Sequence, residues 1–487
     1  MGHGLPVLAA GLLLAAAVAA SLTASRLRLP ALVLFLGIGM AVGSDGAGWV
    51  RFDDYDVARD VGVLALALIL FDGGLGTGAR ELQPVIRPAL KLAVLGTIGV
   101  ALLTGLGAAL LLGMPIAHAL LLGAILASTD SAAVFALVRH SPLRRRISRT
   151  LEGESGFNDP VAVLLVLGLI GWIVEPGWSV WNVADLLVRQ LLGGLLFGIG
   201  TGRLAIRALE RLPLPAPGLY PVTSLAAAAL SFGGAEAVGG SGFLAVYLTG
   251  LVIADCPHQA RSTIAVFHEG AAWTAQIGLF LMLGLLVSPG RLSAVATEGI
   301  VLTVIALGAR PVAALLVTGG ERFSLPERLI LGWAGLRGAV PVVLATFPVT
   351  AGVSRGDALF SIVFIVVLLT TVVQGSTLEP LARRLHVTKP VPGRRRARRD
   401  RPAPAEVVEY PVSPADGVVG RRVAGLRLPP HAVLDAVVRD GEAIPAEGSL
   451  RIAAGDRLRL LVRPEAAREV AALVARWERG DAASVAA

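Results

Sequence analysis

Charged residues, cysteines and cofactor motifs are all scarce in this chain. Only 16% of its 487 residues are charged, 55% are hydrophobic, and the mean hydropathy is +0.73, which excludes an ordinary soluble protein. The single cysteine, Cys256, excludes an internal disulfide. There is no glycine-rich nucleotide fingerprint between a strand and a helix, and the seven histidines are scattered. We therefore expect neither a nucleotide-driven pump nor a metalloenzyme, and no cofactor.

Long apolar runs dominate the chain instead. About thirteen stretches predict membrane-spanning helices, although the second and ninth are short, so the count is set only to within one or two. The first stretch also has the apolar core and small residues of a signal peptide, but no lysine or arginine precedes it. The stretches lie near residues 5–24, 29–43, 57–76, 86–112, 117–139, 150–174, 182–207, 219–238, 242–255, 270–288, 296–318, 325–349 and 356–379.

The positions of the arginines predict the topology. With thirteen spans and the N-terminus outside, the cytoplasmic loops carry most of the basic residues, including the run "RRRISR" that ends at Arg149. The outer loops carry few, chiefly Arg51, Arg59, Arg291 and Arg355, and five aspartates outweigh the arginines of the first outer loop. This asymmetry follows the positive-inside rule and places the C-terminus in the cytoplasm.

The composition changes after the last apolar run, which predicts three regions. Residues 1–384 form the membrane domain, residues 385–405 a linker rich in proline and arginine, and residues 406–480 a small cytoplasmic domain. The linker is also typical of a segment that lies on anionic lipid. In the last region, alternating segments such as "GDRLRLLVRP" indicate strands and "PEAAREVAALVARWERG" indicates an amphipathic helix, which together predict an α+β fold.

Two acidic residues are predicted to lie near the middle of the membrane. If the sixth span begins near Thr150 on the cytoplasmic side, Asp159 is about 14 Å deep, and Asp130, in a fifth span that begins outside, is about 20 Å deep. A charge in hydrocarbon costs about 3 kcal/mol or more, so such residues usually face a cavity and have a function. We therefore expect the two carboxylates to form one site.

The polar residues around Asp159 define two faces of the sixth span. Ser155 and Asp159 are four residues apart and share one face, whereas Glu154 and Asn158 share another. We predict that Ser155 and Asp159 face the cavity with Thr129, because hydroxyl, carboxylate and released carbonyl oxygens suit a small monovalent cation or a proton.

Two arginines also lie at membrane depth. Arg337 in "GLRGAVP" lies at a depth that makes it a candidate partner for Glu154, and Arg310 in "LGARPVAAL" is a second buried cation. A purely structural ion pair remains an alternative for both arginines. Glycine and proline beside Arg337, and the "ASTDSAAVF" segment, predict interrupted helices that line a cavity.

Three motifs resemble one transporter family. "STDSAAVF", "LEGESGFNDPVAV" and "GLRGAVP", within a match over about residues 5–380, resemble the NhaP-type branch of the monovalent cation:proton antiporters. The resemblance implies a dimer of thirteen-helix subunits. In each subunit, inverted repeats would form a moving core in which broken fifth and twelfth helices cross.

The same resemblance assigns roles to individual residues. Asp159 would bind either the cation or the proton, Asp130 and Thr129 would complete the site, and Ser155 would be a ligand. Asn158 would hold the geometry and indicates electroneutral exchange, because electrogenic relatives have an aspartate there. Glu154 would pair with Arg337.

Two further features favour potassium over sodium. Asp72 stands in "LFDGGLG", where several sodium exchangers of this branch have a glutamate, and the C-terminal region is similar to a TrkA-C (RCK-C) domain. This combination resembles the potassium/proton antiporters of the bacterial inner membrane. The C-terminal domain could bind a nucleotide or another small molecule, or only support the dimer.

The predicted mechanism is alternating access at one carboxylate. A buried Asp159 resists carrying an uncompensated charge, so cation and proton compete for it and are exchanged without ATP. A sodium or lithium/proton antiporter is the alternative. An ion channel gated by the RCK-like domain is more remote, because the sequence has no TVGYG-type filter. We expect no enzyme activity.

Overall fold

A computed structural model describes residues 4–27, 31–50, 52–129, 143–211, 214–255, 260–388, 406–426, 428–439, 442–463 and 466–479. The chain divides into two compact units, Met1–Lys389 and Pro390–Ala487. Each unit has a hydrophobic core of its own.

Helices make up most of the described part of the first unit. A 3-10 turn at Gln83–Val85 and a π-helical turn at Leu92–Gly96 join three successive helices into one segment, Ala79–Leu112. The helices are α1 (Gly4–Leu27), α2 (Ala31–Val42), α3 (Tyr55–Thr77), α4 (Ala79–Leu82), α5 (Ile86–Lys91), α6 (Thr97–Leu112), α7 (Ile116–Ala127), α8 (Arg145–Val174), α9 (Val180–Arg211), α10 (Leu219–Ala237), α11 (Gly242–Ala254), α12 (Arg261–Leu286), α13 (Pro289–Ala294), α14 (Ala296–Val317), α15 (Leu325–Trp333), α16 (Ala339–Thr350) and α17 (Gly356–Arg384).

The lengths of these helices fit a multi-pass membrane protein. Among the described residues, seven helical segments are long and apolar enough to cross a bilayer, and five shorter apolar helices have 10–17 residues. A helix or group of helices overlaps each predicted apolar stretch. The mainly α membrane fold is thus confirmed, whereas the count of thirteen crossings stays a prediction.

The predicted twelfth span is interrupted at residues 334–338, between α15 and α16. Pro341 contributes to this interruption, because proline has no N–H to donate to the carbonyl of Arg337. The hydroxyl of Thr371, on α17, donates to that carbonyl instead. A neighbouring helix therefore satisfies the backbone at the interruption, as an apolar surrounding requires.

The helix of the predicted fifth span ends at a similar position along its span. Helix α7 ends at Ala127, and Ser128 is extended. Residues 130–142, which would continue the span, lie outside the described residues. The end of α7 touches the interruption after α15, since Nε of Arg337 donates to the carbonyl of Leu126 at 2.7 Å.

The end of the first unit is tied to the start of α8. Leu143 and Thr388 form an isolated antiparallel bridge, and the N–H of Arg144 donates to the carbonyl of Val387 at 3.2 Å. The guanidinium of Arg144 also donates to the carbonyl of His386 at 3.2 Å. The segment after the last long helix is therefore fixed to the residues that open α8.

The second unit is an antiparallel sheet with one helix. The strand order is β1-β4-β2-β3, and a β-bulge interrupts the β2–β4 register between Leu434 and Ala436. Side chains alternate between core and solvent along β4, as the sequence predicts, and Trp477 packs into the same core. The α+β prediction is confirmed. The elements are β1 (Glu406–Pro411), a 3-10 turn (Val423–Gly425), β2 (Ala432–Arg439), β3 (Glu442–Pro445), β4 (Arg457–Val462) and α18 (Ala467–Glu478).

A partly buried ion pair is expected to make the second unit sensitive to acid. Asp456 is 1% exposed and accepts hydrogen bonds from Nε and Nη2 of Arg439 at 2.7 and 2.8 Å. These bonds, helped by the N–H of Ala453 and opposed by burial, hold the pKa of Asp456 below its usual range. The stabilisation is present above the unfolded pKa of about 4 and is lost as the pH falls through the folded pKa.

We therefore expect the second unit of the full-length protein to lose hydrogen-exchange protection as the pH falls below about 4. Asp456→Asn should be less stable at neutral pH and should lose less protection on acidification, which hydrogen exchange corrected for the intrinsic rate measures. Asp435→Asn is the matched control, because Asp435 is half exposed and lies 4.0 Å from Arg459. An unchanged acid profile for Asp456→Asn would contradict this role.

Candidate functional site

Polar side chains from the end of α7 and the middle of α8 meet inside the first unit. Thr129, Ser155, Asn158 and Asp159 are each at most 2% exposed. The hydroxyls of Thr129 and Ser155 lie 3.2 Å apart, and Nδ2 of Asn158 donates to Oγ1 of Thr129. These bonds hold the segment that follows α7 against α8. Thr129, Ser155 and Asn158, all predicted site residues, therefore form one polar cluster.

Asp159 lies one helical turn after Ser155, on the same face of α8. The next residue, Pro160, has no N–H, so the helix offers no donor to the carbonyl of Gly156. Within one turn, α8 therefore presents a hydroxyl, a carboxylate and a carbonyl that lacks its helical hydrogen bond. Hard oxygen groups of this kind suit a small monovalent cation or a proton.

Asp130 and Asp72 complete the set of predicted site residues. Asp130 lies outside the described residues, so its predicted role stays a prediction. Asp72 lies on a different element, within the last two turns of α3, and is half-buried. It stays a candidate for a supporting role.

Glu154 pairs with Arg310, not with Arg337. The carboxylate of Glu154 accepts from Nη2 of Arg310, and the two side chains are only 1% and 4% exposed. The predicted pairing of Glu154 with Arg337 is therefore wrong. The prediction estimated the depth of each residue by counting residues along a continuous helix. That count fails for Arg337, because the helix is interrupted after α15. A matching depth also does not determine which helices are neighbours.

Arg310 also packs against the interrupted span. A Cβ at Gly335 would meet the guanidinium of Arg310, with Cζ at 2.6 Å and Nη2 at 2.8 Å. Only glycine leaves room there without moving the arginine. One buried cation thus contacts both the helix that carries Asp159 and the interruption between α15 and α16.

Arg337 has a different role from the predicted one. It is 1% exposed, and its guanidinium donates to the carbonyls of Leu126, at the end of α7, and Ala306, on α14, at 2.7 and 3.2 Å. A cation at a helix C-terminus is favourable because it meets the negative end of the helix dipole. Arg337 therefore links the end of α7 to the interruption between α15 and α16.

A close contact between α8 and α11 escaped prediction. The ring of Tyr247 covers Gly156, where any Cβ would overlap the ring, and it packs edge-on against Phe157 with centroids 5.2 Å apart. Glycine within "GESGF" was the only local signal. Its partner lies far away in the sequence, so the contact depends on the fold.

Gly156→Ala is expected to destabilise the first unit by about 1–3 kcal/mol, because overpacking a tight contact forces side chains or backbone to shift. The thermal midpoint of the purified protein in detergent measures this effect. Gly278→Ala is the control, since a Cβ there has nothing within 4 Å. Tyr247→Ala leaves a cavity of its own because Tyr247 is fully buried, so the two losses should be less than additive in the double variant. Strictly additive losses would show that the contact is unimportant.

Two family profiles match the chain. One, described as "Sodium/hydrogen exchanger, transmembrane", matches residues 12–384, and the TrkA-C domain matches residues 407–475. The two matches fall in different compact units.

Named relatives cover most of the chain. The protein named K(+)/H(+) antiporter NhaP2 from Shewanella baltica (strain OS223) is 37% identical over 458 residues, 92% of this chain and 79% of that protein. The Na(+)/H(+) antiporter NhaH of Halobacillus dabanensis is 28% identical over 401 residues, 77% of this chain and 96% of that protein.

A solved structure shows a similar fold. The sodium proton antiporter MjNhaP1 from Methanocaldococcus jannaschii at pH 8 matches with a TM-score of 0.70 and 22% identity, over 79% of this chain and 99% of that chain. The predicted antiporter fold is confirmed by this match.

Proposed function

Because the chain belongs to the sodium/hydrogen exchanger family, we propose that this monovalent cation:proton antiporter exchanges K+ for H+, one ion for one. The observation that carries the proposal is the buried cluster of Thr129, Ser155 and Asn158, one turn from Asp159. No nucleotide is needed, because one ion gradient drives the other.

Competition at Asp159 couples the two ions. The side chain of Asp159 is 2% exposed, so an uncompensated negative charge on its carboxylate would be energetically costly. A proton or a cation each compensates that charge, and the hydroxyl of Ser155 offers an oxygen for the cation. The site changes its access from one side of the membrane to the other only when a proton or a cation neutralises the charge of Asp159. Neither ion therefore crosses without exchange for the other.

Asn158 supports one-for-one exchange. Its amide donates to the hydroxyl of Thr129, which a carboxylate at this position could not do because an ionised carboxylate only accepts. The amide adds no charge to the cluster. When the carboxylate of Asp159 alone exchanges its proton, one cation replaces one proton.

The choice of K+ rests on similarity. The relatives at 36–37% identity carry potassium/proton names, and the TrkA-C match accompanies the membrane domain. Exchange of Na+ or Li+ for H+ is the second candidate, because the relative at 28% identity is named a sodium/proton antiporter.

The remaining assignments form part of the same proposal. The protein is a homodimer in a bacterial inner membrane, with the N-terminus outside and the C-terminal domain in the cytoplasm. Membrane lipids surround the first unit, and a nucleotide or other small molecule regulates the second. The protein is not an enzyme and carries no resident cofactor.

Reconstituted vesicles with a pH-sensitive dye test the function. We expect K+ to dissipate an imposed pH gradient more strongly than Na+, Li+ or ammonium, and we expect a clamped membrane potential to leave the rate unchanged. Dissipation by Na+ and Li+ but not K+ would replace the first candidate by the second. Net current in a potassium gradient without proton movement would indicate a channel and overturn antiport.

A further inference from the structure

A large cavity lies between the helix that carries Asp159 and α9. Its volume is about 630 Å³, and its walls come from α6, α7, α8 and α9 together with the connection between α8 and α9. The volume falls within the range of ligand-binding pockets, about 300–1,000 Å³. We call this space the α8–α9 cavity.

The walls exclude polar ligands. Apart from Ser179 and the indole nitrogens of two tryptophans, the lining side chains are apolar or glycine. The hydroxyl and N–H of Ser179 are both used, because they donate to Oδ1 of Asn182 at 2.7 and 3.0 Å. Water finds too few partners in such a space, and an ion finds none. The occupant that fits is hydrocarbon.

The mouth opens toward lipid. Rim residues on α6, α8 and α9 are substantially exposed, with Leu102 at 47%, Trp172 at 51% and Leu191 at 40%. These residues belong to segments long and apolar enough to span a membrane. Acyl chains therefore surround the mouth, and an empty cavity would lose the dispersion contacts that they provide.

One end of the cavity carries a polar donor without a partner. Nε1 of Trp178 is buried and has no hydrogen-bond acceptor among the described residues. Trp178 lies in the connection after α8, so it stands where a helix leaves the hydrocarbon and where tryptophan is enriched. At that level a phospholipid presents its ester carbonyls, which accept hydrogen bonds.

We propose that the α8–α9 cavity binds one acyl chain of a membrane phospholipid, whose ester carbonyl accepts a hydrogen bond from Nε1 of Trp178. The inner end of the chain reaches Val161, two residues beyond Asp159 on α8. The bound lipid thus contacts both α8 and α9. This site goes beyond ion exchange and does not depend on which cation is carried.

Photolabelling of the full-length protein in nanodiscs tests the proposal. The probe is a phosphatidylethanolamine with a diazirine in one acyl chain, and its labelled peptides are mapped by mass spectrometry. We expect labelling on α8 and α9 at the cavity to exceed that at lipid-facing positions elsewhere, such as Leu230 and Val304, which are 65% and 67% exposed. Uniform labelling overturns the proposal, as does labelling that appears only after the dimer is dissociated, because a second copy would then cover the mouth.

Two variants sharpen the test. Gly168→Leu places a side chain toward Val183, whose methyl groups would lie 3.7 and 3.8 Å from a Cβ at Gly168, and should abolish labelling of the cavity. Trp178→Phe keeps an aromatic ring but removes the N–H, and should weaken phospholipid labelling about fivefold, the equivalent of one hydrogen bond.

A diazirine alkane without an ester group and the variant Trp181→Phe are the controls. The alkane should label wild type and Trp178→Phe equally, and Trp181→Phe should behave as wild type, since Trp181 is 79% exposed and outside the cavity. Full labelling of a folded Gly168→Leu variant overturns the acyl-chain site. Equal phospholipid labelling of wild type and Trp178→Phe overturns the hydrogen bond, whether or not Gly168→Leu folds.

Discussion

Asp159→Asn is expected to reduce cation-driven proton movement to the level of protein-free vesicles, while the protein still inserts and folds. The amide is nearly the same size and keeps the packing of α8, but it neither carries the charge that attracts a cation nor releases a proton. Both half-reactions of the exchange are therefore lost together. This outcome separates a chemical role for the carboxylate from a structural one.

Dye-reported collapse of a pH gradient in proteoliposomes measures the effect, with equal amounts of folded protein verified by size-exclusion chromatography. Asp185→Asn is the matched control, because Asp185 is exposed and pairs with Arg189 within its own helix, at 2.8 Å. The control should transport at the wild-type rate. Exchange retained by folded Asp159→Asn would remove the basis of the proposed mechanism.

The second large effect concerns the buried pair of Glu154 and Arg310. Arg310→Ala is expected to destabilise the first unit by about 3–5 kcal/mol, because it leaves the carboxylate of Glu154 buried without its cation. Glu154→Ala should cost a similar amount for the converse reason. Replacing both residues by apolar ones of similar volume, Glu154→Leu with Arg310→Met, should recover much of the loss.

Heat challenge in detergent followed by size-exclusion chromatography measures these variants. Arg189→Ala removes an exposed pair and should cost no more than about 1 kcal/mol. If Glu154→Ala folds, dimerises and transports like the wild type, the pair has no supporting role. A double variant as unstable as each single variant would instead show that the pair does more than compensate charge.

The sequence predicted those parts of the fold that local chemistry determines. Glycine and proline beside Arg337 predicted the break in the twelfth span, and Ser155 and Asp159 share a face because they are four residues apart on a helix. The antiparallel sheet of the second unit follows from alternation along strands such as β4. None of these features depends on which distant residue becomes a neighbour.

The features that the sequence did not predict all depend on long-range packing. Arg310 and Arg337 both appeared as buried cations, but the choice between them as partner of Glu154 depends on how the interrupted span lies against α14. Gly156 and Gly335 are glycines because a ring and a guanidinium from distant elements occupy the space of a side chain. The α8–α9 cavity is a space that four elements leave between them, and no single segment of sequence encodes it.

The bridge between Leu143 and Thr388 sets a practical limit on shortening this protein. A chain cut before Thr388 to remove the C-terminal domain would also remove the strand partner of Leu143, and a cut before His386 would take away the carbonyls that hold Arg144. The start of α8 would then lose part of its anchoring, and slower exchange in such a chain could be mistaken for the loss of a regulator. Truncations meant to isolate the membrane half should therefore end beyond Thr388.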